Sequence, residues 1–78
     1  MEQALVLAAL AASFTRETVD KVRAIEGVVS ANLLYGPYDL YATVRGEDMK
    51  AIRATVTKIR ETPGIKSTIT CNVIKPPQ

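Results

Sequence analysis

Two short stretches of the chain hold the residues whose types could do chemistry. The first is Tyr35-Gly36-Pro37-Tyr38-Asp39-Leu40, where one carboxylate stands beside a glycine whose bare backbone can approach another molecule closely. The second is Thr62-Pro63-Gly64-Ile65-Lys66-Ser67-Thr68-Ile69-Thr70. Its Thr68 and Thr70 lie two apart, so an extended backbone puts both hydroxyls on one face. Each stretch also has a plain structural reading. Gly36-Pro37 punctuates a hairpin, and an aspartate there can bond nearby amides. Pro63-Gly64 stops a helix, and threonines suit the outer face of a strand.

Other chemistry is excluded by what the chain lacks. It contains no histidine, which removes serine-histidine and cysteine-histidine nucleophilic pairs and most zinc sites. Its only cysteine, Cys71, cannot form an internal disulfide and reads as a small core residue. The eight acidic residues form no evident catalytic pair, and no cofactor or metal motif is present. Ten basic against eight acidic residues leave a net charge of +2, with the signs interleaved. That is no basic stripe, so the chain alone is not expected to bind DNA. The apolar run from Ala4 to Ala12 is too short to span a bilayer, and no basic segment precedes it as in a signal peptide. An unpaired cysteine fits a reducing compartment, so a cytoplasmic location is expected.

The elements that must position these residues come from periodicity. Gln3 to Phe14 is apolar on both parities; its alanines suit a helix, and its Leu-Val-Leu centre and the segment after it suit a strand. Thr15 can cap a helix from Arg16, with Val19, Val22 and Ile25 on one face, Glu17 and Lys21 as an exposed i,i+4 pair and Gly27 as a left-handed cap. Val28 to Tyr35 and Tyr38 to Arg45 read as a hairpin across Gly36-Pro37. Asp48 caps a second helix striped by Ile52, Val56 and Ile59. The last strand is Ile65 to Ile74, with Ile69, Cys71 and Val73 on the buried parity.

The order is β-α-β-β-α-β, and an internal repeat supports it. Lys21-Val22-Arg23, Gly27-Val28 and Ser30 recur 37 residues later as Lys58-Ile59-Arg60, Gly64-Ile65 and Ser67. The expected fold is α+β and ferredoxin-like: a four-stranded antiparallel sheet with both helices on one face. The opposite face would carry Ser30, Asn32, Tyr41, Thr43, Thr68 and Thr70, plus one apolar parity of the first strand. A chain of 78 residues makes one domain, placed at residues 1–75 with 76–78 as a tail. A domain this small buries only roughly 60% of its unfolded surface. With no disulfide or metal to staple it, pairing through the open sheet face is expected.

In order and spacing the two stretches resemble the C-terminal effector domain of the leucine-responsive/asparagine-activator (Lrp/AsnC) family, the RAM module. The matching pieces are Gly36-Pro37-Tyr38-Asp39-Leu40, Asp48, Pro63-Gly64-Ile65, Thr68-Ile69-Thr70 and Val73-Ile74, and the resemblance spans essentially the whole chain. Pro37 stands at the variable position of the turn and stiffens it. The resemblance implies a stand-alone module, because family regulators carry a helix-turn-helix domain before the first strand. It also implies an amino-acid ligand, a homodimer and a higher oligomer such as an octamer built as a tetramer of dimers. Any role in transcription would then need a related DNA-binding regulator as partner.

On that resemblance, the ligand site is expected at a subunit interface, formed by Gly36, Tyr38, Asp39, Leu40, Thr68 and Thr70. Asp39 would take the ammonium, the amides around Gly36 the carboxylate, Tyr38 a wall, and the two threonine hydroxyls the remaining polar contacts. Two other functions compete: a small dimeric α+β-barrel enzyme, and a purely structural module that adds subunits to full-length regulators.

Overall fold

The computed structural model describes residues 1–74, so the expected tail at 76–78 lies outside the described residues. Six elements run in the expected order: β1 (Glu2–Leu10), α1 (Arg16–Arg23), β2 (Val28–Leu33), β3 (Leu40–Gly46), α2 (Met49–Arg60) and β4 (Ile65–Asn72). The strands form one antiparallel sheet in the order β2-β3-β1-β4. This is the ferredoxin-like α+β arrangement, with α1 packed on β2 and α2 on β3, β1 and β4.

The first apolar run is a strand because it occupies the centre of the sheet, paired on both sides. Ala4, Val6 and Ala8 turn toward the helices and are almost wholly buried. They meet Val22, Ala31, Ala42, Val44, Ile52 and Ile59 in one cluster, and Val19 and Leu40 in a second. Asp48 caps α2 as expected, its Oδ1 accepting from Ala51 N at 2.9 Å. At α1 the cap residue Thr15 is extended, and its amide donates to Thr18 Oγ1 at 3.2 Å. The Glu17–Lys21 pair forms at 3.5 Å between largely exposed side chains and adds little.

The helix ends differ from expectation. α1 stops at Arg23 with Ala24 as a right-handed cap, so Gly27 closes the next turn rather than the helix. Its φ of 101° still requires glycine, as does 99° at Gly64, the equivalent position after α2. The 37-residue repeat is thus a pseudo-twofold in three dimensions, and it is reciprocal. A Cβ on Gly27 would collide with Thr55 of α2, and a Cβ on Gly64 would collide with Thr18 of α1. Thr18 and Thr55 are themselves 37 apart, both are buried, and Thr55 Oγ1 donates to Glu26 O at 3.1 Å.

The strand faces carry one larger correction. Cross-strand partners share a face, so register decides orientation. Leu5 pairs with Cys71 and Leu7 with Ile69, which puts Ile69 and Cys71 on the open face, not the buried parity. Val6 pairs with Thr70 and Ala8 with Thr68, which puts Thr68 and Thr70 on the helix side, not the open face. The apolar parity of β4 is used outward because the helix side is filled by α2 and by Ile65. A bulge at Lys66 keeps Ile65 on that side, opposite Leu10, while Ser67 pairs with Ala9. A second bulge at Val29 turns this valine to solvent and brings Ser30 opposite Thr43. The open face is therefore apolar along Leu5, Leu7, Ile69 and Cys71 and polar toward β2. There Ser30 and Thr43 share a 2.7 Å bond and Asn32 Nδ2 donates to Tyr41 OH at 3.0 Å.

Candidate functional site

The hairpin turn is longer than Gly36-Pro37 alone, running from Leu34 to Asp39 between β2 and β3. Asp39 anchors it. Its carbonyl accepts from Leu34 N at 2.8 Å, and its amide donates to Ala8 O at 2.9 Å. Its Oδ2 accepts from Leu10 N at 2.9 Å, where β1 runs past the end of its pairing with β3 at Ala8 and Leu40. The amide-binding role is thus realised, but with a strand 29 residues away rather than with the turn itself. The carboxylate makes no other hydrogen bond among the described residues and stays exposed.

Beside it opens a cavity of about 470 Å³ walled by Leu10, Phe14, Leu33, Leu34 and Tyr35, with Asp39 at its rim. That volume is within the range of small-molecule sites, and one carboxylate among apolar walls orients a ligand by its positive end. Tyr35 projects fully into solvent, and Phe14, Leu33 and Leu34 are also exposed. These four are the wall residues sequence reasoning missed. The signal for them was Leu33-Leu34-Tyr35, an apolar run continuing past the point where the strand alternation ends.

The expected site residues divide. Gly36 sits at the tip of the turn with φ 144°, and a Cβ there would meet nothing within 4 Å, so its surroundings are open. Tyr38 is half-buried next to Asp39. Leu40 is 0% exposed in the core with Ala8 and Val19, so its side chain serves packing. Thr68 and Thr70 stand apart from the turn. Ala8 pairs with Leu40 on one side and Thr68 on the other, so two strand spacings, about 10 Å, separate them. Thr68 shares a groove with Thr57, Arg60 and Lys66, and Thr70 one with Met49, Arg53 and Val56. One protomer does not bring the turn and the threonines into one cavity.

Among the described residues no group of three or more acidic or cysteine side chains could hold a metal ion, and no helix is long and apolar enough to cross a membrane.

Comparison with known proteins places this geometry. No curated protein sequence matches the chain significantly. Among solved structures, FFRP-DM1 is 36% identical with a TM-score of 0.85, over 95% of this chain and 100% of that one. Hypothetical protein PHS023 of Pyrococcus horikoshii is 35% identical with a TM-score of 0.84, over 97% and 93%. The transcriptional regulator NMB0573 of Neisseria meningitidis, solved as a complex with L-Met, shares the fold at 20% identity and a TM-score of 0.78. It is matched by 95% of this chain over 50% of its own length. The family model described as the Lrp/AsnC ligand binding domain matches residues 3–78. With its β-α-β-β-α-β sheet, its Gly-x-Tyr-Asp turn and this match over nearly its whole length, the chain belongs to the Lrp/AsnC ligand-binding domain family.

Proposed function

We propose that this chain is a non-enzymatic effector module that binds a free amino acid, or a similar small zwitterion, where subunits meet, in the regulation of amino-acid metabolism. The observation that carries the reading is Asp39: an exposed carboxylate with one oxygen committed to Leu10 N, at the rim of an apolar cavity. The uncommitted oxygen suits an ammonium, and the amides around Gly36 suit a carboxylate. Tyr38 and the apolar walls suit an aliphatic side chain. A family relative solved with L-Met supports the ligand class. Thr68 and Thr70 can join such a site only from a neighbouring copy, which agrees with a ligand held between subunits.

The apolar strip Leu5, Leu7, Ile69 and Cys71 is the face through which two copies pair, and further association of dimers, up to an octamer, brings the turns together. With a net charge of +2, the module reaches DNA through a related regulator rather than directly. Its setting is the cytoplasm.

A thermal-shift panel of the common amino acids tests the reading. A ligand at about 100 times its dissociation constant adds roughly 2.7 kcal/mol of stability. A flat response to every amino acid overturns it in favour of a structural module.

A further inference from the structure

We infer that the groove between α2 and β4 binds a small polyphosphate, an elongated anion with at least two phosphoryl groups, gripped by Arg53 and Arg60. The site goes beyond the effector reading, which uses none of the cations on α2.

The interleaving of charge along the chain fails after Asp48. Up to that residue seven acids outnumber four basic residues. From Met49 to Ile74 five basic residues, Lys50, Arg53, Lys58, Arg60 and Lys66, face one acid, Glu61. Four of the five lie on α2, which contains no acidic residue, and all four are exposed. Helix energetics do not account for this. Lys58 and Arg60 in the last turn suit the helix dipole, but Lys50 opposes it in the first turn, where α1 carries Glu17.

The 37-residue repeat supplies an internal control. Arg16 and Arg23 of α1 correspond to Arg53 and Arg60 of α2, and Asp20 between them corresponds to Thr57. In the first half the charge is committed. Arg23 Nε donates to Ala31 O at 2.9 Å, its Nη2 donates to Asn32 Oδ1 at 2.8 Å, and Asp20 lies in the same groove. In the second half a hydroxyl replaces the acid, and it donates to Arg53 O at 2.9 Å. Among the described residues the guanidiniums of Arg53 and Arg60 have no hydrogen-bond or ion-pair partner.

These two guanidiniums share a cavity. It measures about 360 Å³, within the small-molecule range, with Met49 and Val56 as its floor and Thr70 and Asn72 opposite. Among the described residues no acid lines it. Thr57 and Arg60 also line a second cavity of about 560 Å³ beside Lys66, where Glu61 is the one acid. The apolar floor supports the arginine stems, and each unpaired fork fits two phosphate oxygens at once. Arg53 and Arg60 are seven residues apart, about 10.5 Å along the helix axis. That spacing selects an elongated ligand: one orthophosphate occupies one fork, and a chain of phosphoryl groups reaches both.

Titration calorimetry of the full chain with sodium tripolyphosphate tests the site, at about 0.15 M salt so that exposed charges more than about 8 Å apart are screened. Tripolyphosphate should bind about tenfold or more tighter than orthophosphate or citrate. Arg53→Gln and Arg60→Gln should each weaken it roughly fivefold or more, and Arg60→Lys, which keeps the charge but loses the fork, roughly twofold. Arg16→Gln, the counterpart on α1, should leave it unchanged. All three arginines are exposed, so the circular dichroism spectrum of each variant should stay that of the wild type. A nucleoside triphosphate that binds more tightly than tripolyphosphate makes a nucleotide the source; otherwise the source is inorganic polyphosphate. Absence of tripolyphosphate binding, or an equal loss in Arg16→Gln and Arg53→Gln, overturns the inference and leaves the arginines as a solvated helix face. Retention of a short DNA duplex that tripolyphosphate does not displace also overturns it, assigning the face to nucleic acid instead.

Discussion

Asp39 holds the end of β1 through Leu10 N and presents a charge to the cavity, and two substitutions separate these roles. Asp39→Ala should weaken ligand binding by more than tenfold, about 1.4 kcal/mol, and lower stability by about 1 kcal/mol. Asp39→Asn keeps an acceptor for Leu10 N but loses the charge. It should lose binding in titration calorimetry while keeping the wild-type melting temperature. An Asn variant that binds as well as wild type would limit the carboxylate to a structural role. Gly27 and Gly64 allow an equally local test, since each combines a positive φ with a threonine at contact distance. Gly27→Ala and Gly64→Ala should each cost on the order of 1–3 kcal/mol in urea denaturation. Shortening the matching threonine, Thr55→Ala or Thr18→Ala respectively, should restore part of that loss in a double-mutant cycle.

At the scale of elements the strip on the open sheet face decides assembly. Ile69→Asn or Leu7→Asn should lower the mass in light scattering while leaving the circular dichroism spectrum intact, since neither residue belongs to the helix-side core. An unchanged mass would mean that the face is simply solvated. The strip also shows what the sequence could reveal. The six elements are legible because Val19 and Val22, Leu40 to Val44, and Ile52 to Ile59 carry clean periods, and Gly27 and Gly64 mark real breaks. The face of β4 is not. Its alternation separates Ile69 and Cys71 from Thr68 and Thr70, but period alone does not say which set faces in. Hydrophobicity points to the apolar set as the buried one, whereas pairing with β1, which is apolar on both parities, places that set outward. Asp39 is legible as the acid of the turn. Its partner Leu10 is not, because a contact across 29 residues depends on the register that brings the end of β1 beside the start of β3.

For the molecule as a whole, a mass of 8.5 kDa with a single cysteine limits the core, and among the described residues the largest wholly buried side chains are Leu40, Ile52, Ile59 and three valines. The protein should not be a monomer: light scattering at micromolar concentration should return a multiple of 8.5 kDa, and a value equal to it would overturn the interface site. The reciprocal glycine–threonine contacts have a separate consequence for how such a small chain comes apart. The turn that joins α1 to β2 in the first half closes only against the helix of the second half, and the reverse holds for the turn that joins α2 to β4. Neither half can finish its own connection alone, so neither can persist as a partly folded fragment. Opening should be all-or-none. In native-state hydrogen exchange, the slowest amides of α1 and α2 should show the same opening free energy and the same denaturant slope, because each helix is the latch on the other's exit.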